Sequence, residues 1–279
     1  MRVFASVILA AVVAMSSSLA AQWPKFTTLG VPRNADGTPN LNAPPPRTAD
    51  GKIDFTGLWE AGGGGGRGGR GRGQAPPAPP AGTPPLATFF EIGANMEGKQ
   101  APMTPWAAEL KKQRMADNMK DNPDAHCLPI GHMQLHLHPQ PRKILQNQSE
   151  LAIIYESNYG LRHIFIDGRK APPLGDPDVQ PFWYGYTVGT WEGDTLVATT
   201  THIRDGMWLD VNGTPLTDQG RIVERFRRPT FGRLEIDVTI EDPKAFTKPF
   251  TVRVNQRLSV DTELIEFICN ENERSSKHY

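Results

Sequence analysis

The sequence predicts a mainly β protein: an antiparallel up-and-down barrel, calycin or lipocalin-like, of about nine to ten strands with a small N-terminal helical appendage. Three observations carry this. Strand-like segments follow one another at 143–148, 151–156, 161–167, 183–192, 195–203, 221–228, 233–241, 250–258 and 263–269, most of them joined by short turns. Glu192-Gly193-Asp194-Thr195 puts glycine first in a two-residue loop, as a type II′ hairpin requires, and Asn212-Gly213 is the comparable type I′ signal. Residues 233–241 alternate, with Leu234, Ile236, Val238 and Ile240 on one face and Glu235, Asp237 and Thr239 on the other, so this strand has one dry face. Closing such a meander removes its unpaired edges.

Taken in order, residues 1–20 read as a signal peptide. Arg2 gives a positive start, residues 3–15 are a nearly unbroken apolar run, and Ser18 and Ala20 are the small residues a signal peptidase inspects. That run is shorter than the ~20 residues of a spanning helix, and no second one follows. The mature chain is therefore expected in a periplasm or outside the cell, with no transmembrane segment. Residues 21–60 form a turn-rich extension, marked by Asp36-Gly37 and Asp50-Gly51, that ends in a first strand. Residues 61–85, rich in Gly, Arg and Pro, cannot bury a core and read as a disordered linker.

Residues 86–142 form the helical appendage and a His-rich loop. Thr104-Pro105 is an N-cap followed by proline at the first helical position, good helix formers run to Lys120, and Pro123 ends the helix. The barrel domain occupies 143–272, and 273–279 is a tail. Lys plus Arg and Asp plus Glu both number 30, so no net field draws in nucleic acid. Cys127 and Cys269 stand in an exported chain, where a disulfide is the favoured state; a thiol metal ligand is the alternative.

The candidate chemistry lies on apolar faces. Glu224 alternates with Ile222 and Phe226, Arg162 with Ile164 and Ile166, Glu156 with Ile154, and Glu266 with Leu264 and Ile268. A buried unpaired charge costs several kcal/mol, so such residues are neutralised by partners or used as acid, base or ligand contact. Glu224, Glu156 and Arg162 are the candidate catalytic group. Trp183, Tyr186, Trp208 and Glu266 are the candidate ligand contacts. His136 and His138, two apart on an expected strand, share a face, and with His132 they make a candidate site for zinc or another first-row ion. The alternative is that these histidines hydrogen-bond a loop to the barrel rim.

Gly57-Leu58-Trp59 resembles the Gly-X-Trp of the first lipocalin strand, over three residues. The runs "HCLPIGHMQLHLHPQPRKILQ", "YGYTVGTWEGDTLV", "RFRRPTFGRLEIDVTIEDPKAFTKPFTVRVNQ" and "ELIEFICNENE" resemble a large family of secreted proteins of Gram-negative soil and marine bacteria. That resemblance implies secretion and a β-rich fold and names no reaction. No Gly-X-Ser-X-Gly, P-loop or dinucleotide fingerprint is present, which demotes serine hydrolase and nucleotide-dependent chemistry. The leading expectation is a barrel that binds a small organic ligand. The alternatives are a lyase, isomerase or hydrolase, cofactor-independent or metal-dependent, built on the same residues, and a structural envelope protein whose buried charges set the fold.

Overall fold

The computed structural model describes residues 23, 24, 26–62, 80–157, 160–269 and 271. The expected signal peptide, the centre of the Gly/Arg-rich linker and the C-terminal tail lie outside them. Among the described residues the strands are β1 (Gly57–Ala61), β2 (Arg142–Gln146), β3 (Glu150–Tyr155), β4 (Leu161–Phe165), β5 (Tyr186–Glu192), β6 (Thr195–Thr201), β7 (Met207–Trp208), β8 (Pro215–Leu216), β9 (Arg221–Thr230), β10 (Arg233–Glu241) and β11 (Phe250–Ser259). Nine close into a barrel in the order β1-β11-β10-β9-β6-β5-β4-β3-β2, while β7 and β8 pair separately. The helices are α1 (Pro105–Ala116) and α2 (His132–Leu137).

The mainly β barrel matches expectation, with two corrections. One seam is parallel: Ile164 pairs with Thr187 and Phe165 with Val188 across β4 and β5. The connection between them contains Pro172, Pro173, Pro177 and Pro181, which cannot donate to a ladder, and it returns the chain to the end where β4 began. The second correction is the closing strand. Residues 263–269 form no strand. β1 takes that place, pairing Trp59 with Leu258 of β11 and with Arg142 of β2, so no barrel edge remains open. The 263–269 segment lies outside the ladder instead, bound through Ile265 N to Glu156 and through Glu263 to Lys143.

Turn chemistry fixes register where the sequence placed it. Glu192 pairs with Thr195 and Gly193 takes φ 59°, as the type II′ loop requires. Asn212-Gly213 is not a two-residue hairpin loop: it lies in a longer turn between β7 and β8, organised by Asp210, which accepts from Thr214 N at 3.0 Å and Thr214 Oγ1 at 2.6 Å. Helix α1 begins as expected, with Thr104 accepting from Ala107 N at 3.3 Å. It stops at Ala116, before Lys120, because Asn118 and Met119 adopt φ near 56° and 55°. No helix among the described residues is long and apolar enough to cross a membrane.

The inward residues follow strand alternation. Leu234, Ile236, Val238 and Ile240 are fully buried, as are Ile222 and Phe226, and Trp59 fills the interior beside β11. An aromatic column runs along the axis. Trp191 stacks on Phe55 at 5.8 Å, Phe55 meets Phe226 at 6.0 Å, and Phe226 meets His136 at 6.3 Å.

Two buried arginines hold the segments that close the barrel ends. Arg142 donates to the carbonyls of His136 (2.7 Å), His138 (2.9 Å) and Gln140 (2.8 Å), satisfying the C-terminal end of α2. Arg228 donates to Asp54 O (2.5 Å), Thr56 O (3.3 Å) and Phe231 O (2.6 Å), pinning the strap that precedes β1. Burial lowers both guanidinium pKa values to about 10, which leaves both charged at neutral pH. A Cys127–Cys269 disulfide joins the loop before α2 to the C-terminal segment.

Replacing Arg142 with Met strands three carbonyls at once. The expected loss is ~3 kcal/mol or more, read as a lower urea midpoint, with Arg142→Lys recovering only part because an ammonium lacks the planar fork. A wild-type midpoint for Arg142→Met would show that α2 is held by other contacts.

Candidate functional site

Strand alternation turns Glu224 of β9 and Arg162 of β4 into the barrel, where they are 0% and 1% exposed. Their side chains meet as a two-point pair: Arg162 Nη1 reaches Glu224 Oε1 at 3.1 Å and Nη2 reaches Oε2. The one remaining N–H of Arg162 Nη2 is shared between two threonine hydroxyls, Thr200 at 3.1 Å and Thr187 at 3.4 Å, which are 2.9 Å from each other.

Helix α2 brings the other members. It is six residues long and entirely buried, and it places His132 and His136 four apart on one face. His136 Nε2 lies 2.9 Å from Glu224 Oε1, and His132 Nε2 lies 3.6 Å from Oε2. A carboxylate only accepts, so His136 donates through Nε2 and its Nδ1 becomes a bare acceptor.

Electrostatics keeps the pair charged and the imidazoles neutral. Burial alone would raise Glu224, but the Arg162 guanidinium, reinforced by His132 and His136, holds it well below the usual carboxylate range. Burial holds His132 well below the ordinary histidine value, aided by Arg162 and opposed by Glu224. His136 is lowered by burial too, against its bond to Glu224. Tyr155, inward on β3, is pushed up to about 12 by burial.

Several buried polar atoms here make no close hydrogen bond among the described residues: His132 Nε2, His136 Nδ1, Tyr155 OH, Arg162 Nε and Tyr184 OH, with Tyr155 still within electrostatic reach of the Arg162 guanidinium. They are contiguous, since the His136 and Tyr155 rings lie 6.0 Å apart and Tyr155 stacks on Tyr184 at 6.2 Å. Gly160 lets Tyr184 approach, because a Cβ there would sit 2.5 Å from the Tyr184 hydroxyl. Beside His132 lies a cavity of about 10 Å³ lined by Trp183, Met207, Trp208 and Ile222, room for about one water.

Of the expected site residues, Glu224, Arg162, His132 and His136 come together, and Trp183 and Trp208 flank them across the small cavity. The others do not. Glu156 alternates with Ile154 as read, but that face points out of the barrel, where the C-terminal segment covers it and Ile265 N donates to it at 3.0 Å. Tyr186 also points outward, against Phe165 at 5.4 Å and Phe182 at 6.0 Å. Glu266 is exposed on the segment that is not a strand.

The expected metal geometry fails because α2 is a helix. His138 is its C-cap and turns away to Phe89, 5.1 Å between rings. The two imidazoles that converge do so on a carboxylate already held by a guanidinium. Among the described residues no group of three or more His, Cys, Asp or Glu is arranged to hold a metal ion. Sequence reading missed Thr187, Thr200 and Tyr155 as members; Thr200 continues the inward alternation of Leu196 and Ala198, and Tyr155 that of Leu151 and Ile153.

The histidines set an acid limit to stability. Their folded pKa values lie below the ordinary 6.5, so below that pH the unfolded chain binds more protons and stability falls as pH falls. The contribution of Glu224, whose folded value is depressed, is lost only at lower pH, as its own folded pKa is crossed. The melting temperature is therefore expected to drop between about pH 7 and pH 5, and His132→Phe to flatten that slope. An unchanged slope in the variant would place the sensitivity elsewhere.

The chain matches no protein-family model, no curated protein and no solved structure.

Proposed function

We propose that this is an exported β-barrel protein that binds a small organic ligand at the α2 end of its barrel, with Arg162, Glu224, His136 and His132 as the polar floor. The signal-like residues 1–20 support export, as does a disulfide, which persists in oxidising compartments. One observation carries the binding reading: the run of buried polar atoms without a close hydrogen bond from His132 to Tyr184. A network kept for stability alone is expected to close its hydrogen bonds, because each stranded buried group costs ~1–3 kcal/mol. Two tyrosine hydroxyls and Arg162 Nε are donors, so an oxygen-rich or carboxylate-bearing ligand is the chemistry that satisfies them. The bare Nδ1 of His136 supplies an acceptor beside them.

Entry requires movement, since the adjoining cavity of about 10 Å³ holds no ligand-sized group. The displaceable element is α2, a six-residue helix whose C-terminal end is fastened by Arg142 through the carbonyls of His136, His138 and Gln140. A second reading is favoured by the complete burial of Glu224: the Glu224–Arg162–histidine network only sets the fold and fastens α2 in place.

Tyr155→Phe and Glu224→Gln separate the two. On the binding reading, native mass spectrometry of exported protein finds a non-covalent small molecule. Tyr155→Phe then loses that molecule while changing stability by no more than ~1 kcal/mol, because within the barrel the hydroxyl interacts with the Arg162 guanidinium and makes no close hydrogen bond. A bare parent mass, together with a Glu224→Gln variant that is merely ~3–5 kcal/mol less stable through the stranded arginine, would establish the fold-setting reading.

A further inference from the structure

A second recess lies at the end of the barrel opposite α2. Strand direction places it there: α2 leads into the start of β2, whereas the recess is formed by the β2–β3 turn, the residue after β4, the end of β5 and the 48–52 turn. Its volume is about 290 Å³, close to the lower bound of ordinary small-ligand sites. Thr48, Asp50, Lys52, Asn147, Gln148 and Trp191 line it.

The wall is built rigidly. Gln146 accepts from Phe55 N at 2.8 Å and donates to Ile53 O at 3.0 Å, fixing the strap against β2. Asn147 Oδ1 accepts from Ser149 N at 2.8 Å, Ser149 Oγ at 2.9 Å and Glu150 N at 2.9 Å, which fixes its amide N–H₂ as the outward group. Trp191 is backed by Phe55 in a parallel stack with a 9° interplanar angle. The Arg47–Asp194 ion pair, at 2.7 Å, ties the 48–52 turn to the β5–β6 hairpin.

The functional groups on this wall are mixed. The Lys52 ammonium lies over the Trp191 ring, 5.6 Å from its centroid, and acts electrostatically on Asp194 without forming a close ion pair with it. Asp50 uses Oδ1 to accept from Thr48 Oγ1 at 2.5 Å. A donor amide, an ammonium, a carboxylate and an indole around one small recess match a ring with hydroxyls on its edge and C–H groups on its face. A strongly anionic ligand would meet Asp50, and a purely apolar one would desolvate both Asp50 and Lys52 without replacing their hydrogen bonds.

We propose that this recess is a binding site for a neutral, monosaccharide-sized polyhydroxylated ligand, held against Trp191 by Lys52, Asp50 and the amides of Asn147 and Gln148. It shares no residue with the α2-end site and stands independently of it.

The test is a titration of the full chain with glucose, galactose and mannose, followed by the indole N–H resonance of Trp191, with benzoate and inorganic phosphate as contrasting probes. Trp191 backs onto Phe55, so its replacement risks the fold; the half-exposed Lys52 and the exposed Asp50 are the variants of choice. The expected result is a saturable shift of that resonance with at least one hexose in the millimolar range, weakened tenfold or more in Asp50→Ala and in Lys52→Ala at unchanged melting temperature. The proposal is overturned if no hexose shifts the resonance, if only benzoate or phosphate does, or if both variants bind the hexose as tightly as the parent.

Discussion

A carboxylate on the inner face of a barrel strand is the constraint around which the rest of this molecule is arranged. Glu224 sits where an aliphatic side chain would pack, between Ile222 and Phe226, and is fully shielded from water. An ion in that position is tolerated only if a countercharge and further donors replace its hydration, and a buried pair rarely returns its full desolvation cost. Arg162 supplies the countercharge from across the barrel, Thr187 and Thr200 occupy part of its fork, and His136 of α2 bonds the carboxylate while His132 stands beside it at 3.6 Å, beyond hydrogen-bond distance. The short helix is thereby drawn into the barrel end. The pair couples β4, β9 and α2, three elements far apart in sequence.

The ends of the barrel repeat one device. At each end a buried guanidinium gathers carbonyls from an irregular segment that has no ladder of its own: Arg142 under α2 and Arg228 under the strap. Backbone carbonyls buried outside regular structure need donors, and a planar fork with five N–H groups serves several at once. The aromatic column from Trp191 through Phe55 and Phe226 to His136 fills the space between these anchors. Buried polar atoms without a close hydrogen bond among the described residues also occur elsewhere, at Asn255 and Gln256 for example; those on His132, His136, Tyr155, Arg162 and Tyr184 differ in bordering the buried ion pair, which is why the α2 end is the place to look for a ligand.

Much of this was legible in the residues because alternation is a local property. Ile222-Val223-Glu224-Arg225-Phe226 fixes Glu224 inward, Arg162 goes with Ile164, and the type II′ loop at Gly193 follows from backbone sterics. The failures share a cause in tertiary context. Glu156 has the parity that was read, but whether that face is inner or outer depends on which side the barrel closes. The 263–269 segment has strand-like composition and loses its place to β1 because both neighbouring edges are already paired. His136 and His138 look like a same-face pair on a strand, yet the chain turns helix there, and a six-residue helix is too short to announce itself by periodicity.

A double-mutant cycle measured by urea denaturation, with Glu224→Leu, Arg162→Leu and the double variant, reads whether Glu224 and Arg162 act as one buried unit. Coupling predicts that each single variant loses ~3–5 kcal/mol, because it strands the opposite charge, and that the double variant falls short of the sum by ~1–3 kcal/mol. Additive losses within a few tenths of a kcal/mol, or single variants as stable as the parent, would show that the two charges are not coupled.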